Sequence, residues 1–290
     1  KITIYRLASH AKLVDALCRA AENGKNVTVL IELRARFDEQ NNIDWSKLLE
    51  DAGCNIIYGF DFYKVHSKIC LITMKDKDSV SYITQVGTGN YNEKTAKLYT
   101  DLSLITSNKE IGKDASEFFK NMSIGNLNGE YKHLWVSPSS LKTNVLKCFD
   151  EEIAKGRAGH ITIKINSLTD ADIIQKLSEA SRASVQIKMI IRGICCILPG
   201  VINKTDNIKI YSIVGRFLEH SRIYCFGSGN EEKMYISSAD FMTRNTERRV
   251  EVACPVYSEH IRKKIHNILD AHECDTLKAR QVSSDGSYVF

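Results

Sequence analysis

Val65-His66-Ser67-Lys68 and Glu219-His220-Ser221-Arg222 are two versions of one pattern, set little more than half the chain apart. Each puts a histidine two residues before a cation, inside an apolar run that reads as a strand. On a strand, residues i and i+2 project from the same face, so each segment aims an imidazole and a positive charge together. A nitrogen nucleophile beside a fixed cation, present twice, points to phosphoryl transfer at a site shared between two halves.

Around these segments a longer pattern repeats. Residues 1–5 read as a strand and 8–22 as a helix, with apolar spacing at Leu13, Val14, Leu17 and Ala20-Ala21. Asn23-Gly24 stops that helix, and 27–33 form the next strand. The second copy is a strand at 161–165, an amphipathic helix over 170–183 with Thr169 or Asp170 as its N-cap, and a strand at 185–191. Aligning 27–31 with 185–189 brings Arg34 opposite Arg192, each at the C-terminal end of a strand. Units of this β-α-β kind build parallel or mixed sheets whose ligands gather at strand C-termini. The expected fold is α/β: two tandem domains related by an internal pseudo-repeat, each a mixed β-sheet flanked by helices. A boundary at Ser137-Pro138-Ser139-Ser140, after a strand-like 132–136, gives domains 1–136 and 137–290. The second would open on a helix over 141–154.

Composition agrees with a soluble, two-domain chain: 290 residues, 43% hydrophobic, 26% charged, three prolines. No apolar run approaches the roughly 20 residues of a membrane span, and no signal-peptide pattern opens the chain. A cytoplasmic location, or one at the membrane periphery, is the expectation. The abrupt start, Lys1 followed at once by a strand, suggests a piece of a longer polypeptide. Nine cysteines, an odd number without a CxxC pair, read as reduced thiols and not as a zinc or disulfide framework. A net charge of +5 permits a polyanionic partner without demanding one.

Behind the first histidine come Gly87-Thr88-Gly89-Asn90, then Tyr99 and Asp101; behind the second come Ser237-Ser238-Ala239-Asp240, then Arg244-Asn245, Arg248-Arg249 and Glu251. Glycines would let backbone amides approach an anion, with Asn90 adding a donor, although such a segment alone is a tight turn. Asn90 and Asp240 read equally well as turn formers. Asp101 and Glu251 could each accept a proton from one imidazole nitrogen, fixing the tautomer that leaves the other nucleophilic. The plainer reading makes them ion-pair partners of Lys97 and Arg249.

This order, His-x-basic, then Gly-x-x-Asn, then an acid, resembles the phospholipase D superfamily. Over nearly its whole length the chain is similar to the C-terminal catalytic region of the polyphosphate kinase family. Tyr5-Arg6, the segment Ala35-Arg36-Phe37-Asp38-Glu39, both histidine motifs, Gly87 to Ala96, Leu98-Tyr99-Thr100-Asp101, Ile191 to Cys196, Ser212 to His220 and Tyr235 to Asp240 carry that resemblance. It implies two phospholipase D-like domains and an enzyme that moves the terminal phosphate of ATP reversibly onto inorganic polyphosphate through a phosphohistidine. It implies His66 as the phosphorylated residue and His220 as a second essential histidine acting on the nucleotide phosphates, with Lys68 and Arg222 as their cations. Tyr99 and Arg192 match ATP contacts, and His220 and Asn90 are expected to bind ATP beside them. Arg6 and Arg36 match positions tied to magnesium and phosphate. A guanidinium has no lone pair for a metal, so these two are expected to hold phosphate beside a Mg2+ ion. The implied partners are ATP or ADP and polyphosphate, with no nucleic acid, in a full-length protein that is a homo-oligomer. The family also carries an N-terminal and a head domain outside the matched region.

Two other functions fit the same residues. One is a phospholipase D-type phosphodiesterase or nuclease, although those enzymes usually carry lysine in both motifs and the second here is His-x-Arg. The other is a non-catalytic polyanion-binding module.

Overall fold

Short runs of β-branched and aliphatic residues alternate with amphipathic helical stretches, and each becomes the element its period dictates. The computed structural model describes residues 1–7, 11–34, 39–77 and 79–290. The first half runs β1 (Ile2–Ile4), α1 (Lys12–Glu22), β2 (Thr28–Ile31), α2 (Glu39–Asp51), β3 (Asn55–Tyr58), β4 (Lys64–Val65), β5 (Ile69–Asp76) and β6 (Ser79–Gly87). It ends with α3 (Glu93–Ala96), β7 (Tyr99–Thr100), β8 (Ser103–Thr106) and α4 (Lys109–Ser123). The chain continues through β9 (Trp135–Ser137), α5 (Leu141–Lys155), β10 (His160–Ile165), α6 (Ala171–Arg182), β11 (Gln186–Ile191) and β12 (Ile208–Ile213). Then come β13 (Leu218–Glu219), β14 (Arg222–Phe226), β15 (Lys233–Ser237), α7 (Thr243–Glu247), β16 (Arg249–Pro255), α8 (Glu259–Glu273), β17 (Ala279–Val282) and β18 (Tyr288–Val289).

The repeat is a repeat of topology. The first sheet has strand order β3-β2-β1-β5-β6-β8, and the second contains β12-β11-β10-β14-β15-β16. In both, the first three strands are parallel and the remaining pairings antiparallel. β17 and β18 extend only the second sheet, and β9 joins it through β16, so Trp135 and Val136 pair with Ala253 and Val252. Of the two N-cap candidates for α6, Asp170 takes the role, accepting from the Ile173 amide at 3.3 Å. The start expected for α1, at residues 8–10, lies outside the described residues, and the helix is described from Lys12.

Register corrects one sequence alignment. Ile2 pairs with Cys70 and Val29, while Ile163 pairs with Tyr224 and Met189. With the two histidine motifs superposed, Cys70 matches Tyr224, so Thr3 corresponds to Lys164 and Glu32 to Arg192. The partner of Arg192 is therefore a buried glutamate and not Arg34. The sequence pattern misled because a strand repeats every two residues, so a two-residue slip preserves its apolar face. Arg34 instead turns to the carbonyls of Phe60 and Asp61.

The halves share a core. Leu30, Val65, Ile69, Val86, Ile111, Phe118 and Phe119 from the first pack in one cluster with Ile190, Ile223, Cys225, Val250, Cys254 and Ile265 from the second. Burying these side chains against one another, at about 1.5–3 kcal/mol each, favours a fixed arrangement of the two sheets.

Candidate active site

The two histidine motifs do not lie within strands, as their apolar surroundings suggested. Each sits where a two-residue strand leaves its own sheet and crosses to the other half. β4 pairs with β16, and β13 pairs with β7. At the first crossing the amides of His66 and Ser67 both donate to the Val250 carbonyl, each at 2.9 Å. At the second, those of His220 and Ser221 both donate to the Thr100 carbonyl, at 3.2 and 3.0 Å. Each crossing therefore ends one residue before the acid of the opposite half.

The acids are exchanged between halves. His66 Nδ1 lies 2.9 Å from Glu251 Oε1 and 3.0 Å from Oε2, and His220 Nδ1 lies 2.8 Å from Asp101 Oδ1. Each acid is also fixed by a hydroxyl from its own half. Thr88 Oγ1 donates to Asp101 at 2.7 Å, and Ser238 Oγ to Glu251 at 2.5 Å. Asn245 adds a third donor to Glu251 at 2.7 Å. Neither acid pairs with Lys97 or Arg249 as the plainer reading had it.

Electrostatics keeps both imidazoles neutral at pH 7. Burial pushes His66 down to about 3, against the attraction of Glu251 and with help from Lys68. Burial and the Arg222 charge push His220 down to about 4. Glu251 is wholly buried, which opposes ionisation, yet His66, Lys68 and Arg249 together hold it below the usual carboxylate range. Asp101 likewise stays low against burial, through His220 and Thr88. Two ionised acceptors at Nδ1 fix the Nδ1–H tautomer and leave the lone pair on Nε2. Lys68, buried and bonded to the His66 carbonyl, is pushed down to about 7.

The two motifs then diverge. Arg222 is held as a bidentate fork by Asp240, with Nε–Oδ1 at 3.2 Å and Nη2–Oδ2 at 3.0 Å. Its Nη1 donates to the carbonyls of Thr88 at 3.1 Å and His220 at 3.0 Å, and lies 3.2 Å from His220 Nε2. His66 Nε2 has no hydrogen-bond partner among the described residues. Asp240 is thus an anchor for the cation, and Asp240→Ala would leave a buried guanidinium without its carboxylate. We expect that variant to lose about 3–5 kcal/mol in a denaturant titration; a loss below about 1 kcal/mol would contradict this reading of the pair.

Other expected residues take varied places. Tyr99 leans on His220 with ring centroids 5.0 Å apart, and Tyr5, which sequence reasoning left without a role, meets His66 edge-on at 4.9 Å. Arg192 is half-buried and donates to Asn166 Oδ1 at 2.6 Å; Asn166 in turn bonds Asp240 and the His220 carbonyl. Asn90 has its Oδ1 buried without a hydrogen-bond partner. Arg6 lies beside Tyr5, its guanidinium 5.9 Å from the ring centre. Arg36 lies outside the described residues. The glycine segment is not an anion loop at Gly87 and Thr88, whose amides are spent on Lys68 and Leu102 carbonyls. Gly89 is bare for another reason: a Cβ there would stand 2.1 Å from Asp101 Oδ2.

Sequence reasoning missed the supports behind the motifs. Glu32 accepts from the Val65 amide at 2.8 Å and so steadies the first crossing. Lys164 donates to Ser221 Oγ at 2.9 Å and pairs with Glu219 at 3.2 Å. Glu219 also bonds His272 and Thr100, and these donors hold it at about 2 despite burial. A lysine on an otherwise apolar strand was the one visible signal.

A duplicated mixed sheet with a histidine from each half at its centre defines the phospholipase D-like class. A yeast tyrosyl-DNA phosphodiesterase mutant shares this fold at a TM-score of 0.52 and 10% identity, over 87% of this chain and 80% of that one. The chain belongs to the polyphosphate kinase family: residues 1–127 match polyphosphate kinase C-terminal domain 1 and residues 134–290 match C-terminal domain 2. It is 47% identical to a polyphosphate kinase of Halalkalibacterium halodurans and 44% identical to one of Vibrio parahaemolyticus, each across all of this chain. The crystal structure of polyphosphate kinase from Porphyromonas gingivalis superposes with a TM-score of 0.90 at 35% identity, covering 100% of this chain and 45% of that one. The chain spans 42% of the length of both curated relatives.

Proposed function

We propose that this chain carries the reaction centre of an ATP:polyphosphate phosphotransferase, with the His66 motif in residues 1–136 and the His220 motif in 137–290. The observation that carries the reading is the neutral His66 held through Nδ1 by Glu251, with Nε2 left without a hydrogen-bond partner among the described residues. The Nε2 lone pair attacks the γ-phosphorus of ATP, an N–P bond forms, and the bond to the β,γ-bridging oxygen breaks with its electron pair leaving on ADP. The terminal oxygen of a polyphosphate chain then attacks the same phosphorus, and the N–P electrons return to His66. The Nδ1 proton stays in its bond to Glu251, which offsets the positive charge the ring acquires in between. Arg222 and Lys68 spread the charge of the phosphoryl group in flight, the main task in this chemistry.

Among the described residues no group of three His, Cys, Asp or Glu side chains could hold a metal ion. Mg2+ in this reading arrives as the counter-ion of the nucleotide phosphates. No helix among the described residues is long and apolar enough to cross a membrane.

Incubation with γ-labelled ATP and Mg2+ tests the reading. Label that survives alkali and is lost in acid, and that a polyphosphate acceptor removes, is the expected result. Nucleotide-independent cleavage of a phosphodiester would favour the nuclease instead, and binding without label would favour a polyanion module.

A further inference from the structure

A cavity of about 370 Å3 opens where β11 and β12 end, beside Arg192. At roughly 30 Å3 of liquid per water it has the space of about a dozen waters, enough for several phosphate groups. Arg192, Ser212, Lys278 and Arg280 line it together with Val214 and Tyr288, and no carboxylate does. Ser212 and Arg280 are cross-strand partners on β12 and β17, which puts hydroxyl and guanidinium side by side. The cations are poorly answered by protein. Arg192 bonds the neutral amide of Asn166. Arg280 lies on the Phe290 ring, and its Nη1 is buried without a hydrogen-bond partner. Lys278 is exposed.

The placement is also particular to one half. β17 and β18 have no counterpart in the first sheet, so the strands that supply Arg280 and Tyr288 are an addition the duplicated fold does not require. Cations gathered without acids raise the local concentration of anions, and a low-dielectric wall strengthens that effect. A single small anion would leave most of this volume unused, whereas a linear chain of phosphates presents one charge per unit to successive cations.

We propose that this cavity is a second phosphate subsite, which holds the run of a linear polyphosphate behind its reacting end. Arg192 links it to the reaction centre, through the Asn166 contact that also reaches the His220 carbonyl. The assignment rests on the phosphotransferase reading above. The same cationic chemistry would suit the phosphate tail of a nucleotide, so the test separates the two.

Calorimetric titrations of the full chain with tripolyphosphate, long-chain polyphosphate and ADP, repeated over a salt series, provide that test. The wild type should bind long chains more tightly than tripolyphosphate. Lys278→Ala combined with Arg280→Gln should weaken long-chain binding by about tenfold. It should also reduce the slope of log affinity against log salt by about 1.4, at about 0.7 per lost contact on a single strand. ADP affinity should change by no more than about twofold. Lys278→Ala alone, at an exposed position, should move long-chain affinity the same way even if the double variant folds poorly. Unchanged long-chain binding in the variants overturns the subsite, and an equal loss for ADP reassigns it to the nucleotide. A wild type that binds ADP but no polyphosphate of any length refutes the phosphotransferase reading, and the subsite with it.

Discussion

His66→Ala is expected to abolish the acid-labile phosphoryl label and to cut turnover by about 10^4- to 10^6-fold, the range seen when a covalent catalyst loses its nucleophile. The magnitude follows from what is left behind. Arg222 remains gripped by Asp240, and His220 by Asp101, so a nucleotide can still be held and polarised. Direct transfer in the variant would require ATP and polyphosphate ends to fit at once. ADP should therefore still bind, which separates a chemical defect from a collapsed pocket. The variant also leaves the buried Glu251 with two donors, Ser238 and Asn245, instead of three. His66→Asn, which keeps an amide donor near that carboxylate, is the control for folding and should be equally inactive. Label of undiminished intensity in either variant would remove His66 from the mechanism.

Why the sequence displayed the pair of histidines but not their partners has a physical explanation. Apolar periodicity reports which face of an element is buried, and it sufficed for the two sheets and most helices. It says nothing about which sheet a two-residue strand joins. β4 and β13 are too short to show a period, and their crossing is fixed by pairs of amide bonds to the Val250 and Thr100 carbonyls. The pairing of His66 with Glu251, and of His220 with Asp101, is thus a property of tertiary structure alone. The same holds for Glu32, whose place opposite Arg192 appears only once the strand register is known. Asp240 was legible as half of a pair with Asn90, yet its grip on Arg222 was not, because a turn former and an anchor have the same short polar side chain. Lys164 had no place in the sequence reading, because its partners Ser221 and Glu219 belong to the second histidine motif and meet it only in the folded sheet.

Duplication supplied one design twice, and substitutions at matched positions then made the halves differ. Where the first half has a glutamate steadying the crossing before His66, the second has Arg192 facing a cationic cavity. Where the first has Asn90, the second has Asp240, and that carboxylate is what permits a fully buried arginine in place of lysine. A fixed guanidinium suits a phosphate group that must be held, because its fork is rigid and always charged. Among the described residues Lys68 beside His66 has no such carboxylate fork, and burial pushes its amine down to about 7.

Glu251→Gln isolates the other large effect, since it changes a charge and a donor pattern while leaving volume almost intact. The carboxylate can only accept, so it enforces the proton on Nδ1 of His66 and the lone pair on Nε2. A glutamine can turn its amide nitrogen toward Nδ1, donate to it, and move the ring proton to Nε2, where it blocks attack. It also removes the negative charge that offsets a phosphorylated, positively charged ring. By analogy with the loss of the orienting carboxylate in a histidine-containing triad, the rate of label formation should fall by about 10^4-fold. With its oxygen at the Oε1 position the glutamine still accepts from Asn245, and its amide nitrogen can donate to Ser238 Oγ, so the thermal transition should survive, and ADP affinity should remain near that of the wild type. Asp101→Asn acts on His220 and should slow label formation less. The reverse order, with Asp101→Asn abolishing label and Glu251→Gln sparing it, would mean that His220 and not His66 receives the phosphate, and the assignment of the two motifs would have to be exchanged.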